Sequence, residues 1–469
     1  MDKYDAVVVG SGPNGLAAAI TLGRAGRRVL VIEAKATIGG GARTAEATLP
    51  GFRHDLCSAI HPLGLGSPFM ATLPWGRLGV EWIQPDLPLA HPLDDGSAVT
   101  LHRSIAETAD SIGRDGGAWR ALLASPVKNW DKLAPALLGP HPLSPHLLAL
   151  ARFGLPGILP TNVLPRLIFR EERARALFAG LAAHSFLDFG QLFSSSFGMV
   201  LGTLGHAVGW PLPRSGSQAI VDGMARYLRE LGGEIVCGWE VASLAELPQA
   251  DTVLLDVTPR QFLKMAGDQL PASYGRRLAG FRYGPGVFKI DYALSDPVPW
   301  TAPECRRAGT VHLGATLAEI AASEAAVVRG KLDDRPYVLV AQQSLFDHSR
   351  APAGKHTLWA YCHVPHGSTA DRTEAIEAQI ERFAPGFRQT ILARSVRNTQ
   401  ALHAYNPNYI GGHIGGGVQD IRQLWTRPIL RWPPYSTPLP GVFLCSSSTP
   451  PGGGVHGMCG FHAALAALK

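Results

Sequence analysis

The feature that most constrains this chain is its opening turn. A β-branched run, Ala6 to Val9, leads into Gly10-Ser11-Gly12-Pro13-Asn14-Gly15. An alanine-rich helix is predicted from Leu16 to Ala25, closed by Gly26, and a second apolar run, Val29 to Ile32, ends on Glu33. Strand, G-x-G-x-x-G, helix, strand and acid fall within the roughly thirty residues of a dinucleotide-binding βαβ unit. Each part has a physical task. Gly10 permits the tight turn, Gly12 lets backbone approach a pyrophosphate, and Gly15 lets the helix sit close on the sheet. The helix N-terminus offers unpaired N–H groups and partial positive charge to phosphate, and Glu33 can accept from ribose hydroxyls.

The next segment separates two kinds of dinucleotide. Ile38-Gly39-Gly40-Gly41-Ala42-Arg43-Thr44 places glycines and an arginine soon after the acid. This resembles the second glycine motif of the amine oxidase and phytoene desaturase flavoproteins, in which glycine backbone and an arginine lie along the pyrophosphate and ribityl chain of FAD. The other end of the chain carries the same resemblance. A strand is predicted at Gly441 to Cys445, followed by Ser446-Ser447-Ser448-Thr449-Pro450, the loop Pro451 to Gly460 and a small-residue helix, Phe461 to Leu468. Together with Asn406 to Gly416, Arg427-Pro428 and Pro434 to Pro438, this block is similar to the phytoene desaturase-like, amine oxidase-like FAD-dependent oxidoreductases. It is most similar to the branch of pyridine nucleotide-disulphide oxidoreductase domain-containing protein 2. The likeness is sharp over the first sixty or so and last seventy or so residues. Two departures stand out: three serines replace the usual Gly-Asp or Gly-Ala-Gly after the last strand, and His413 stands where the family often has Asp.

The resemblance implies FAD as cofactor and an α/β fold: a glutathione reductase-like Rossmann domain with an inserted α+β substrate lobe. The FAD domain is expected from residues 1–70, 211–285 and 400–469, and the lobe from 71–210 and 286–399. A βαβ-like return is predicted at Ala219 to Leu231, Glu234 to Cys237 and Thr252 to Val257, and Ser215 to Gln218 ahead of it is a further candidate cofactor segment. The lobe is expected to be helical with many prolines in its first part. Its second part should hold strands at Val287–Leu294, Tyr337–Gln342 and Thr357–Val364 and a helix at Arg372–Phe383. Residues expected at the cofactor are Gly10, Gly12, Pro13, Asn14, Gly15, Glu33, Ala34, Gly40, Gly41, Arg43, Thr44, Val241 (through its backbone, to adenine), Ser447, Gly454, Val455 and His456.

Composition excludes other classes. The net charge of +6 comes from 43 basic and 37 acidic residues scattered as singles and pairs, which is not a nucleic-acid-binding stripe. Six cysteines without a C-x-x-C pair give neither a dithiol nor a zinc pattern, so no metal is expected and the thiols should be reduced, buried and inert. Met1 to Asp5 runs directly into a strand, so no signal peptide is expected. The nearest approach to a spanning helix, Leu133 to Arg152, is broken by Pro135, Pro140, Pro142 and Pro145, and the longer stretch Leu133 to Phe169 is oily with few charges. It reads as a tunnel mouth, a membrane-resting surface or a partly buried connection; lacking a basic amphipathic face, it favours the last. A cytoplasmic location is expected, with peripheral membrane contact left open.

No second G-x-G-x-x-G follows a strand, so no separate NAD(P)H domain is expected; electrons should pass to dioxygen, a quinone or a protein. The expected activity is hydride movement between a largely apolar substrate and flavin N5. The catalytic candidates are His456, inside the C-terminal glycine loop, and then His413, flanked by glycines, ahead of His54 and His61. Noncovalent flavin is expected in spite of Cys57 and Cys459. A redox-neutral FAD-dependent isomerase and a non-catalytic FAD-bound interaction protein are the alternatives.

Overall fold

The computed structural model describes residues 4–140 and 145–469; Met1 to Lys3 and Pro142 lie outside them. The opening pattern folds as a five-stranded, wholly parallel sheet. Its spatial order is Val442–Leu444, Ala250–Leu255, Tyr4–Val9, Val29–Glu33, Glu234–Cys237. Tyr4–Val9 and Val29–Glu33 are almost continuous Val, Leu and Ile, as strands covered on both faces must be. The helix between them runs Pro13–Arg24, starting three residues earlier than its apolar run suggests. Proline suits the first helical position, because its missing N–H would have no partner there anyway. Its face from Asn14 to Gly23 is buried. Part of that face packs on the terminal helix, Met458–Ala467.

A second, seven-stranded sheet lies in the order Ile391–Arg397, Gly286–Leu294, His356–Val364, Val338–Ala341, Ala308–Leu313, Leu87–Pro92, Ala98–Leu101. Its pairs are antiparallel except Ala308–Leu313 with Leu87–Pro92. The period of two sorts its faces. Phe288, Ile290, Tyr292, Leu358, Ala360 and Cys362 enter one apolar core. On the strand His356–Val364, Trp359 and Tyr361 share the other face, edge to face at 5.0 Å. Helices Gly116–Lys128, Trp130–Leu137, Leu147–Ile158, Glu172–Ala183 and Ser194–Ala207 make up most of the bundle beside the sheet. Among the described residues no helix is long and apolar enough to cross a membrane.

One buried ion pair pins the short strand Arg53–Asp55. Arg350 and Asp55 are each 1% exposed and in direct contact, and the other Asp55 oxygen accepts from Thr44 Oγ1 (2.7 Å) and Ser217 N (2.8 Å). Removing one partner of such a pair strands the other charge in low dielectric, at about 3–5 kcal/mol. Arg350→Met is therefore expected to lower the denaturation midpoint strongly, and adding Asp55→Asn should restore part of it. An Arg350→Met protein that unfolds like its parent would show that the pair does not hold this strand.

Candidate functional site

The crevice at the carboxyl ends of the parallel strands, where open α/β sheets take their ligands, is one end of a cavity of about 1170 Å³. That exceeds the roughly 300–1,000 Å³ of ordinary small-molecule sites. The nucleotide end is built from glycines pressed together. Gly10 has φ +103°, and a Cβ there would lie 2.9 Å from Asp256 Cβ. A Cβ on Gly40 would lie 3.0 Å from the Gly12 Cα, and one on Gly41 2.1 Å from the Tyr409 hydroxyl. Glu33 ends its strand facing this turn. One carboxylate oxygen accepts from the Ser11 hydroxyl and N–H, the other from Lys35 N (2.9 Å) and Arg43 Nη2 (3.1 Å). The rest of the Arg43 guanidinium donates to the Thr37 and Gly40 carbonyls. Arg43 thus braces the acid and its loop.

The C-terminal loop closes over the same space. Asn14 Nδ2 donates to Ser447 Oγ at 3.2 Å, while Asn14 Oδ1 is buried without a partner at the cavity wall. Ser446 and Ser448 spend their hydroxyls on the Val257 and Gly416 carbonyls, 2.7 and 2.8 Å away. Only Ser447 of the three turns to the glycine-motif helix. Buried Arg427 donates to the Gly416, Gly417, Ser447 and Ser448 carbonyls and holds this serine run. His456 lines the cavity, but its Nδ1 accepts from Met458 N (3.0 Å). Burial pulls this imidazole down to about 4, so it is neutral and braces the glycine loop at the start of the terminal helix.

Of the residues expected at the cofactor, Gly10, Gly12, Pro13, Asn14, Glu33, Ala34, Gly40, Gly41, Arg43, Val241, Ser447, Gly454, Val455 and His456 line this one cavity. Gly15 and Thr44 do not: the expectation of cofactor contact is corrected for Thr44, and Gly15 keeps only the packing task that its spacing predicts. Gly15 serves packing, since a Cβ would meet the Gly10 carbonyl oxygen at 1.9 Å. The Thr44 hydroxyl is spent between Asp55 and Gln218 N. The segment Ser215 to Gln218 likewise ties down the strand Arg53–Asp55 and lines no part of the cavity. The second catalytic candidate, His413, is also corrected: it stands outside the cavity wall, donating from Nδ1 to the Pro285 carbonyl at 2.7 Å and packed edge-on to Phe186. His54 and His61 are buried and lowered to about 4; His54 lies outside the wall, and His61 shares its Nε2 with Ser217 Oγ. Cys237 is exposed, unlike the buried thiols expected.

The residue most clearly missed is Asp256, just past the strand Ala250–Leu255. Its Oδ2 accepts from Gly15 N at 3.1 Å and would lie 3.0 Å from a Cβ on Gly12. Burial, reinforced by the charge of Glu33 and opposed by the Gly15 N–H, raises this carboxyl to about 8. The available signal was a lone acid inside the apolar run Thr252 to Val257.

Beyond the glycines the cavity turns apolar. The sheet contributes Leu339, Trp359 and Tyr361, and the helices contribute Phe153, Phe197, Val200 and Leu201. His184 is among the lining residues; its Nε2 lies 3.2 Å from His312 Nε2, and burial drives it to about 3, so it is neutral. Every acidic lining residue (Glu33, Glu240, Asp256) belongs to the nucleotide end. The apolar end opens between exposed Ile158 and Trp425, the latter edge to face with Phe193 at 4.8 Å.

Comparison with known proteins agrees with this architecture. A family model described as NAD(P)-binding Rossmann-like domain matches residues 8–70. The chain is 26% identical to pyridine nucleotide-disulfide oxidoreductase domain-containing protein 2 of Rattus norvegicus, over 98% of this chain and 93% of that protein. It is 25% identical to phytoene dehydrogenase of Streptomyces griseus, over 83% and 78%. Among solved structures, an oxidoreductase from Methanosarcina mazei superposes with a TM-score of 0.66 over 100% of both chains at 16% identity. Putrescine oxidase bound to putrescine gives 0.61 at 16% identity, over 100% of this chain and 98% of that one. The α/β fold with a Rossmann-like nucleotide-binding domain is thus shared with oxidoreductases of the amine oxidase and phytoene desaturase kind.

Proposed function

We propose that this chain is an FAD-dependent oxidoreductase that moves a hydride between a neutral, largely apolar substrate and the flavin. The observation that carries the proposal is the continuous cavity: a glycine-lined nucleotide end with Glu33 opens directly into an apolar, aromatic end. The residues present suit FAD. The glycines of the turn and of the loop Gly452–Gly454 are packed too tightly against protein for a Cβ, so that bare backbone of Gly10, Gly12, Gly40, Gly41, Gly453 and Gly454 faces the cavity, and the unpartnered Asn14 Oδ1 awaits a hydroxyl donor such as the ribityl chain. A ribose hydroxyl reaches Glu33 by displacing the Ser11 hydroxyl, the donor free to rotate.

Bound FAD supplies the two-electron acceptor for a hydride. The chain supplies the rest. Trp359 and Tyr361 orient the substrate against the sheet, and Phe193 with Trp425 narrows the mouth against water. His184, neutral and hydrogen-bonded to His312, is a polar contact inside the apolar wall; at about 3 it is too weak a base to take a substrate proton, so the described residues offer no side-chain base there and a proton lost beside the hydride would leave through water. With no carboxylate at this end, a cationic amine would enter unpaired, which disfavours polyamines.

The test is the spectrum of the purified protein, then anaerobic titration with an isoprenoid, a long-chain hydrocarbon and a diamine. Flavin absorbance, bleached by an apolar compound and not by the diamine, is the expected result. Protein that stays colourless after incubation with FAD would end the proposal, and bleaching by the diamine alone would overturn the substrate class.

A further inference from the structure

We infer that the face around the apolar mouth docks on an anionic lipid bilayer, so that the cavity opens toward the membrane. The helix Leu147–Ile158 (LLALARFGLPGI) is apolar on both sides. Its inner side, Leu150, Phe153 and Gly154, lines the cavity. Its outer side leaves Leu147, Leu148 and Leu155 between 66% and 71% exposed, and Leu167 on the following short helix, Leu164–Ile168, is 70% exposed. Leucines scattered singly over a surface need no explanation, but several grouped at the rim of a cavity do.

Two further observations select the occupant. The patch is continuous with the cavity: Ile158 and Trp425 belong both to the exposed surface and to the wall, and Phe193 N donates to the Ile158 carbonyl at 2.9 Å, locking the helix end to the mouth. Within this segment the charge is one-sided as well, so the partly buried connection that its sequence favours gives way to an exposed apolar face with basic flanks. From Lys132 to Arg170 the sequence contains no Asp or Glu, and Arg152 and Arg166 stand exposed among the leucines. Arginines flanking exposed leucines match anionic headgroups above acyl chains. A helix of 12 residues is about 18 Å long, too short to span a bilayer and suited to lying in its interface. A substrate dissolved in the bilayer would then reach the cavity without crossing water, an implication that rests on the function proposed above; the docking itself does not.

The experiment is flotation of the purified protein with vesicles of phosphatidylcholine alone and with added phosphatidylglycerol, flavin content being measured in parallel. Binding to the anionic vesicles is expected, weakened several-fold by high salt. The variant Leu147→Ser, Leu148→Ser, Leu155→Ser, Leu167→Ser should bind at least about tenfold more weakly while keeping the parental flavin content. Since that variant could misfold, a second measurement uses the parent: brominated acyl chains should quench its fluorescence, and Trp425→Phe should remove part of the quenching. Failure of the parent to bind any vesicle overturns the inference. So does a parental dimer in light scattering that the serine variant dissolves, because the face would then belong to a second copy. A colourless protein that still floats would leave the docking standing and remove only the flavin proposal.

Discussion

Gly460→Ala is expected to yield a chain that neither holds FAD nor approaches the parental melting temperature. The terminal helix crosses the glycine-motif helix at this residue, and a Cβ would come within 1.7 Å of the Asn14 carbonyl oxygen. That obstacle is backbone, which cannot rotate aside, so the two helices must part. Inserting a methyl group into a packed interior costs about 1–3 kcal/mol where side chains can yield; here the cost should reach or pass the upper end. Separation would also pull Ser447 from Asn14, because His456 and the glycine loop lead straight into this helix. Gly117→Ala is the matched control: it lies in the helix Gly116–Lys128 with no atom within 4 Å of the added Cβ, so it should be neutral or slightly stabilising. Thermal melts and flavin content of both variants decide it, and a Gly460→Ala protein with parental values would refute the crossing.

Asp256→Asn should show the second large effect, with a pH dependence that identifies its cause. The carboxyl titrates near 8 in the folded chain against about 3.9 unfolded. A raised acid binds its proton more tightly when folded, so its contribution to stability is complete below the unfolded value. It is lost progressively as pH rises toward 8, and levels off above that. Asparagine keeps the acceptor for Gly15 N without the charge. The stability gap in favour of Asp256→Asn should therefore widen from pH 4 to pH 8, to an order of a few kcal/mol. A gap that stays flat or narrows would refute the buried, neutral carboxyl. FAD should report the same group. A pyrophosphate on the glycine turn would be repelled by ionised Asp256, so parental FAD affinity should fall by up to about tenfold per pH unit above 8, while that of Asp256→Asn does not.

What sequence made legible was local and periodic. The β-branched run to Val9, the glycine spacing and Glu33 define a βαβ unit because strand, turn and helix all answer to neighbouring residues, and the structure places them so. The outward direction of a side chain is another matter. Glycines around His413 showed that backbone comes close to something there, but its ring turns to the Pro285 carbonyl, which is far away in sequence. Thr44 sits beside a true cavity residue, Arg43, yet its hydroxyl answers to Asp55 and Gln218. The stretch Leu133 to Phe169 illustrates the same limit. Its apolar residues cannot say which side meets water when both sides are apolar, so the exposure of Leu147, Leu148 and Leu155 emerges only once the bundle is assembled.

The link between Asn14 and Ser447 joins residues 433 positions apart, and this has a consequence for how the protein is made. During synthesis the glycine turn leaves the ribosome early and must wait, its sheet lacking Glu234–Cys237, Ala250–Leu255 and Val442–Leu444 until each is translated. Contacts of such separation form slowly, and unpaired strand edges invite aggregation meanwhile. Closure of this crevice thus reports that translation has run through to the terminal helix, and chains stopped short of it should be cleared by chaperones and proteases rather than accumulate with an open crevice.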